Sequence, residues 1–274
     1  MELVPIIKQI LICGLWALSM HAFGQPRLGG QTAEQAPAGM VRIKGGVYQP
    51  FLRTAGQSRV QVKPFLLDRH AVTNAEYLAF VQANPSWARS KVSRLFADHH
   101  YLSQWASDFR VGDKRLLHSP VTNVSWFAAK AYCQWKGKRL PTLEEWEFAA
   151  ASPPVGETGT EKLSEIILDW YSRPNPSILP SVGSTFTNQL GIEDMHGLIW
   201  EWVYDFNGVI LSSSQGAGTR ANFFCAAGAL STTNKEDYAA FMRYAFRESL
   251  QGAYCVANLG FRCAMDIAPV HDVR

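Results

Sequence analysis

The chain of 274 residues has no phosphate-binding G-x-x-x-x-G-K-[ST] loop, no zinc-type C-x-x-C pair, no long basic run and no internal repeat. These absences remove a backbone cradle for nucleotide phosphates, the common structural zinc sites and a solenoid architecture. The formal charge is only +3, too weak a field to imply a nucleic-acid partner or an anionic membrane surface. Cysteine is sparse, at five residues, and only 18% of residues are charged. What remains is ordinary globular composition, 47% apolar and 12% aromatic, sufficient for one large domain or two small ones.

The one long apolar run is at the N-terminus. Lys8 precedes "ILICGLWALSMHAFG", which closes on Ala22-Phe23-Gly24 before Gln25. A positive start, an apolar centre and a small-x-small end predict a secretory signal peptide over residues 1–24, with a retained anchor as the alternative. The run is shorter than the roughly 20 apolar residues that span a bilayer, which favours cleavage. No twin arginine precedes it, so the expected route is Sec-type export to the periplasm or the outside, with no membrane span left after cleavage. Cys13 leaves with the signal. Cys133, Cys225, Cys255 and Cys263 remain in an oxidising compartment, where four cysteines allow three full pairings.

Residues 25–38 are rich in Gln, Ala, Gly and Pro and read as a flexible lead; residues 39–268 form the expected domain. "MVRIKGGVYQPF" and "VQVKPFLLD" alternate like strands. "TNAEYLAFVQANP" carries a Thr73/Glu76 capping box and stops before Pro85, predicting a helix. A second helix is expected behind Ser125, with Gly137 just past its end, and a third behind Thr142 with its box partner Glu145. The carboxylates of "LEEWE" are those a helix's first turn attracts through its dipole, so they are read as structural. His99-His100 is tempting as a metal site, but adjacent residues share no helical face and no third ligand follows; a solvated loop is expected. Residues 152–187 are dense in Pro, Ser and Gly around the apolar island "IILDWY" and read as loop, and a last helix is expected around "EDYAAFMRYAF". Helices and short strands without βαβ periodicity place the chain in the α+β class.

Five stretches occur in order: "MVRIKGGVY", "FLLDRHAVTNAEYLAFV", "PVTNVSWFAAKAYCQWKGKRLPTLEEWEFAA", "GIEDMHGLIWEW" and "NLGFRCA". Together they resemble the formylglycine-generating enzyme, or sulfatase-modifying-factor, family over nearly all of the mature chain. The resemblance implies a single domain with a modified C-type-lectin-like fold, low in regular secondary structure. It also implies a disulfide between Cys133 and Cys263. Details in "DMHGLIWEW", "NFFCAAGALS" and "DYAAFMRYAF" are similar to a bacterial branch that includes a nitrite-reductase accessory protein and a pyoverdine-maturation oxidase.

"DMHGLIWEW" also has the makings of a hard-cation site. Calcium takes six to eight oxygens, and a tight Gly-containing turn can aim carbonyls inward. The resemblance assigns calcium, in a structural role, to the side chains of Asp194 and Glu201 and the carbonyls of Gly197 and Ile199, holding the loop that carries Trp200. The competing reading is a tryptophan-rich core turn whose carboxylates bond nearby amides.

Family members that generate formylglycine are implied to bind Cu(I) through two cysteines, and soft thiolates suit that ion. Cys225 matches the first. The second position falls on Leu230 or on Ala239, depending on where the insertion "GALSTTNKED" is counted, and neither binds copper. Three options stay open for Cys225: Cys255 completes a copper site, Cys255 bridges it as a disulfide, or Cys225 is buried and inert. In the pyoverdine-like branch a glutamate carries the chemistry. Glu248, between Arg247 and Ser249 with Arg243 one turn back, is the matching candidate for a general base, its alternative being a surface ion pair. The expectation is therefore an exported maturation factor acting oxidatively on a small-molecule precursor or a periplasmic partner protein. Its rivals are a non-catalytic binding protein and a true formylglycine-generating oxidase.

Overall fold

The computed structural model describes residues 36–50, 59–207 and 235–267. The signal peptide, most of the lead, Cys225 and Leu230 lie outside them. The described residues all belong to the unit Ala36–Arg274.

Strand β1 (Met40–Ile43) pairs antiparallel with β4 (Phe65–Asp68), which pairs antiparallel with β7 (Ala264–Asp266), so the sheet order is β1-β4-β7. The register sets Ile43 opposite Phe65 and Leu67 opposite Ala264. β2 (Gly46–Tyr48) and β3 (Val60–Val62) form a second antiparallel pair; β5 (Trp200–Glu201) and β6 (Leu259–Gly260) pair in parallel. Gly260 is required where β6 crosses the chain: a Cβ there would lie 2.3 Å from the Val121 carbonyl oxygen and 2.8 Å from Ile199 Cδ1.

The helices begin where side-chain caps satisfy their first amides. Helix α1 (Asn74–Ala83) opens on a complete capping box, Thr73 accepting from the Glu76 amide and Glu76 from the Thr73 amide, and it ends before Pro85. Helix α2 (Trp126–Trp135) is capped by Ser125 and released by Gly137 at φ 68°, a left-handed turn that a side chain would strain. Helix α3 (Leu143–Ala150) repeats the box with Thr142 and Glu145. Tyr77 of α1, Tyr132 of α2 and Phe261 meet in an aromatic core, with Tyr77–Tyr132 centroids 5.7 Å apart.

The Cys133–Cys263 disulfide is present and ties α2 to the segment before β7 across 130 residues. Closing a loop of that length removes about 5 kcal/mol of unfolded-chain entropy, an upper figure in the chain-entropy model.

Two elements depart from the expectations. The segment 152–187 is not all loop: helix α4 (Glu161–Ser172) occupies its middle. Leu163 and Ile167, one turn apart, bury a single face against Ala239 of helix α5 (Lys235–Glu248). Flanking Pro and Gly hid that period, and tertiary burial of the face decides the outcome. Elsewhere, His99 and His100 are exposed as expected, with ring centroids 3.8 Å apart.

Candidate functional site

Helix α3 starts at Leu143 because Thr142 caps it, and this sets which later side chains face inward. Leu143, Trp146, Glu147 and Ala150 fall on one face, so Glu147 is an acid on an apolar stripe. It is buried, and the cations that meet it come from α5. Arg243 and Arg247 stand four residues apart and both reach Glu147: Arg243 Nη2 donates to Oε2 at 2.8 Å and Arg247 Nη1 to Oε1 at 2.5 Å. Burial alone pushes the Glu147 carboxyl up, but the two guanidiniums together outweigh it and hold the group at about 2.

Around this triad lies an aromatic shell. The Arg247 guanidinium sits 4.6 Å over the Trp146 ring, and Arg243 is coupled electrostatically to the Tyr171 side chain of α4. Burial, with the negative field of Glu147 among the lesser causes, raises Tyr48 and Tyr244 well above the ordinary tyrosine value. His196 stands edge-on to Trp146 at 5.5 Å, and its Nε2 lies 3.2 Å from the Ala150 carbonyl oxygen. A carbonyl only accepts, so the proton is on Nε2 and Nδ1 carries a lone pair, with no hydrogen-bond partner among the described residues. Burial, then the Arg243 charge, lowers the imidazole to about 3, so it stays neutral.

Trp200 lies half-buried between α4 and α5, with centroids 5.0 Å from Trp170, 5.0 Å from Tyr171 and 4.6 Å from Phe246. Trp170 also lines an open cleft of about 410 Å³ with Asp169, Arg173, Leu179, Thr185 and Leu198. That volume and its mix of apolar wall and polar rim suit a small ligand.

The sequence-derived site residues divide accordingly. Arg243 and Arg247 both turn to Glu147, a carboxylate buried on the facing helix. Glu248 is half-buried at the last position of α5. Glu147 was missed because its neighbours in "LEEWE" are accounted for by the helix N-terminus, although an acid three residues before one buried position and four after another was the available signal.

The calcium set does not assemble as the motif implied. Asp194 accepts from the Gly183 amide, from the Thr185 amide at 2.9 Å and from the Thr185 hydroxyl at 2.7 Å. Glu201 is engaged elsewhere: Arg262 reaches both its oxygens, and Trp146 Nε1 donates to Oε2 at 2.8 Å. The two carboxylates thus serve different donors, the core-turn alternative, and the ligand set does not fit the ion. Gly197 (φ 96°) and Ile199 provide the turn geometry and a buried side chain.

Three cysteines lie among the described residues. Cys133 and Cys263 are bonded to each other. Cys255 is a free, buried thiol, and Cys225, the residue that would complete either pairing, lies outside the described residues. Burial first and then Asp98 push the Cys255 thiol far up, away from the thiolate that Cu(I) takes. Ala239, one of the two second-cysteine positions, is a packed residue between α5 and α4. Among the described residues no group of three His, Cys, Asp or Glu side chains is arranged to hold a metal ion, and no helix is long and apolar enough to cross a membrane.

The family model described as sulfatase-modifying factor enzyme 1-like domain matches residues 25–267. The formylglycine-generating enzyme of Thermomonospora curvata is 26% identical, over 86% of this chain and 96% of its own. The inactive C-alpha-formylglycine-generating enzyme 2 of Mus musculus is 28% identical, over 91% of each. A solved structure of PvdO from Pseudomonas aeruginosa overlays with a TM-score of 0.46 at 18% identity, covering 83% of this chain and 94% of that one. The serine/threonine-protein kinase Pkn1 of Chlamydia trachomatis is 26% identical over 83% of this chain, which spans only 38% of that protein's length. With the matched region running through every element described above, the chain belongs to the sulfatase-modifying-factor, or formylglycine-generating-enzyme, family.

Proposed function

We propose that the protein is an exported maturation factor of this family that acts on a small-molecule precursor or a periplasmic partner protein without two-thiolate copper chemistry. The observation that carries this reading is the cysteine chemistry of the described residues: one disulfide, one buried thiol whose amide is bonded to Asp98, and an alanine packed into the helix interface at a second-cysteine position. A copper-bound cysteine pair is the family's route to formylglycine, so its loss points to a different substrate. In this reading Glu248 is the candidate base, taking a proton while an external two-electron acceptor takes the hydride equivalent; the 410 Å³ cleft beside Trp170 is lined by other residues and stands as a separate surface for a small ligand.

Two measurements test this. Purified protein incubated with Cu(I), dioxygen and a cysteine-containing sulfatase peptide is expected to form no aldehyde; stoichiometric aldehyde overturns the reading. In cells, Glu248→Gln is expected to abolish maturation while Cys225→Ala leaves it intact.

A second reading, a non-catalytic partner-binding protein, is favoured by one observation. Arg243 and Arg247 are both bound to the buried Glu147, so these two guanidiniums serve the joint between α3 and α5. If both variants mature normally while deletion of the gene does not, binding is the function.

A further inference from the structure

We infer that the Asp194–Glu201 turn is closed by protein donors in place of a divalent cation, with the Arg262 guanidinium and the Gly183–Thr185 amides doing what calcium would otherwise do. The inference rests on family membership and not on the proposed function. A calcium site at this turn would need both carboxylates to offer free lone pairs to one point. Glu201 has none left, and Asp194 has one of about four. Asp194 already takes three donors, two amides and a hydroxyl, all from the loop 183–185. The His196 carbonyl oxygen lies 3.2 Å from the same hydroxyl, a longer second acceptor for the one hydrogen that Thr185 gives to Asp194.

Glu201 is more fully committed. Arg262 Nε lies 2.8 Å from Oε2 and Nη2 2.8 Å from Oε1, with Trp146 Nε1 adding a bond to Oε2. Both side chains are 0% exposed. The remaining guanidinium hydrogens go to the carbonyls of Asp68, Arg69 and Glu193. One cation therefore neutralises the carboxylate and gathers three backbone oxygens, which is the work expected of a structural calcium. A dication at Glu201 would face the fixed Arg262 charge in a water-free interior, where like charges repel strongly.

The test is thermal unfolding of the exported form with 2 mM EGTA or with excess CaCl₂, alongside Asp194→Asn and Thr185→Val. The expected result is the same Tm in EGTA and calcium for the parent protein at this turn, and a Tm loss in Thr185→Val that calcium does not restore. Should calcium act through some other site, its stabilisation will be equal in the parent and in both variants, which also supports the inference. A calcium-dependent rise in Tm that is present in the parent and lost in Asp194→Asn overturns it. So does stoichiometric calcium, by metal analysis after dialysis, that Asp194→Asn releases. Thr185→Val keeps the question answerable if Asp194→Asn does not fold, because a calcium turn would tolerate loss of that hydroxyl in the presence of the ion. None of these outcomes depends on which substrate the protein acts on.

Discussion

Two buried arginine–glutamate centres hold this molecule, and they are built differently. Glu201–Arg262 is one carboxylate against one guanidinium, with every remaining guanidinium hydrogen placed on a backbone carbonyl. Glu147–Arg243–Arg247 is one carboxylate against two guanidiniums, and the surplus charge is met by the face of Trp146 and the hydroxyl of Tyr171. The first joins β5 to the chain entering β7 and ties both to the end of β4. The second joins α3 to α5, the helix that ends at Glu248. A balanced pair suits a fixed joint; an unbalanced one leaves positive potential at the helix interface, which adds to burial, the larger cause, in keeping His196 neutral.

Removing Arg262 breaks the comparison most severely. Arg262→Met strands Glu201 in the interior with only Trp146 as a donor and frees three carbonyls. Breaking a buried pair from one side costs about 3–5 kcal/mol. Equilibrium unfolding in urea reads this directly, and a fall in Tm of roughly 10 °C corresponds to it. Glu147→Gln follows, at roughly 2–4 kcal/mol, because Arg243 keeps Tyr171 and Arg247 keeps the Trp146 ring when the carboxylate is lost. A larger loss for Glu147→Gln than for Arg262→Met would reverse the ranking of the two centres.

How far the two centres could be read from the sequence differs for a physical reason. Arg262 and Glu201 sit in short motifs, "GFRC" and "WEW", whose order along the chain carried the family resemblance. Their union needs β5 and β6 to pair in parallel, a contact between positions 61 residues apart. Glu147 lay in plain view on an apolar stripe, but the macrodipole explained its neighbours and the partners are almost a hundred residues away. Helices α1, α2 and α3 were legible because their caps are local: Thr73, Ser125 and Thr142 each act within three residues. Helix α4 was not, since its stability comes from Leu163 and Ile167 against α5, and its surroundings are loop-like in composition. The Asp194 turn was legible as a turn but its hydrogen bonds were not, because spacing reports which oxygens are near and not which hydrogens already occupy them.

Acid sharpens the contrast. His196 is held at about 3 against an ordinary 6.5, so as pH falls through 6.5 the unfolded chain takes up a proton that the folded protein refuses. Stability is full above 6.5 and declines toward 3. Glu147, at about 2 against 4.5, works in the same direction in a lower window: its contribution is present above 4.5 and is lost as pH falls toward 2. Asp68, whose carboxyl burial raises, opposes these below its own folded value. The difference between parent and His196→Gln therefore isolates the histidine. Denaturant midpoints of the parent should drop between pH 6.5 and 5, and those of His196→Gln should stay flat there; parallel curves would remove His196 from the account.

The smallest expected effect separates the centres most cleanly. Arg247→Met removes one of two cations from Glu147 but leaves the Arg243 contacts at 2.8 Å and 3.3 Å intact. The carboxylate stays neutralised, the long apolar stem is replaced by one of similar length, and thioether contact with Trp146 takes over part of the cation–π contact. The change should cost only about 1 kcal/mol, well under that of Arg262→Met, since it relieves the charge imbalance while removing one strong bond. It should also raise the His196 pKa, because one of the positive charges pressing on the imidazole is gone, and so shrink the stability lost below pH 5, where the folded imidazole begins to take up its proton. A cost equal to that of Arg262→Met would mean that the second arginine is as indispensable as the first, and that the α3–α5 centre is a fixed joint of the same kind as the one at Glu201.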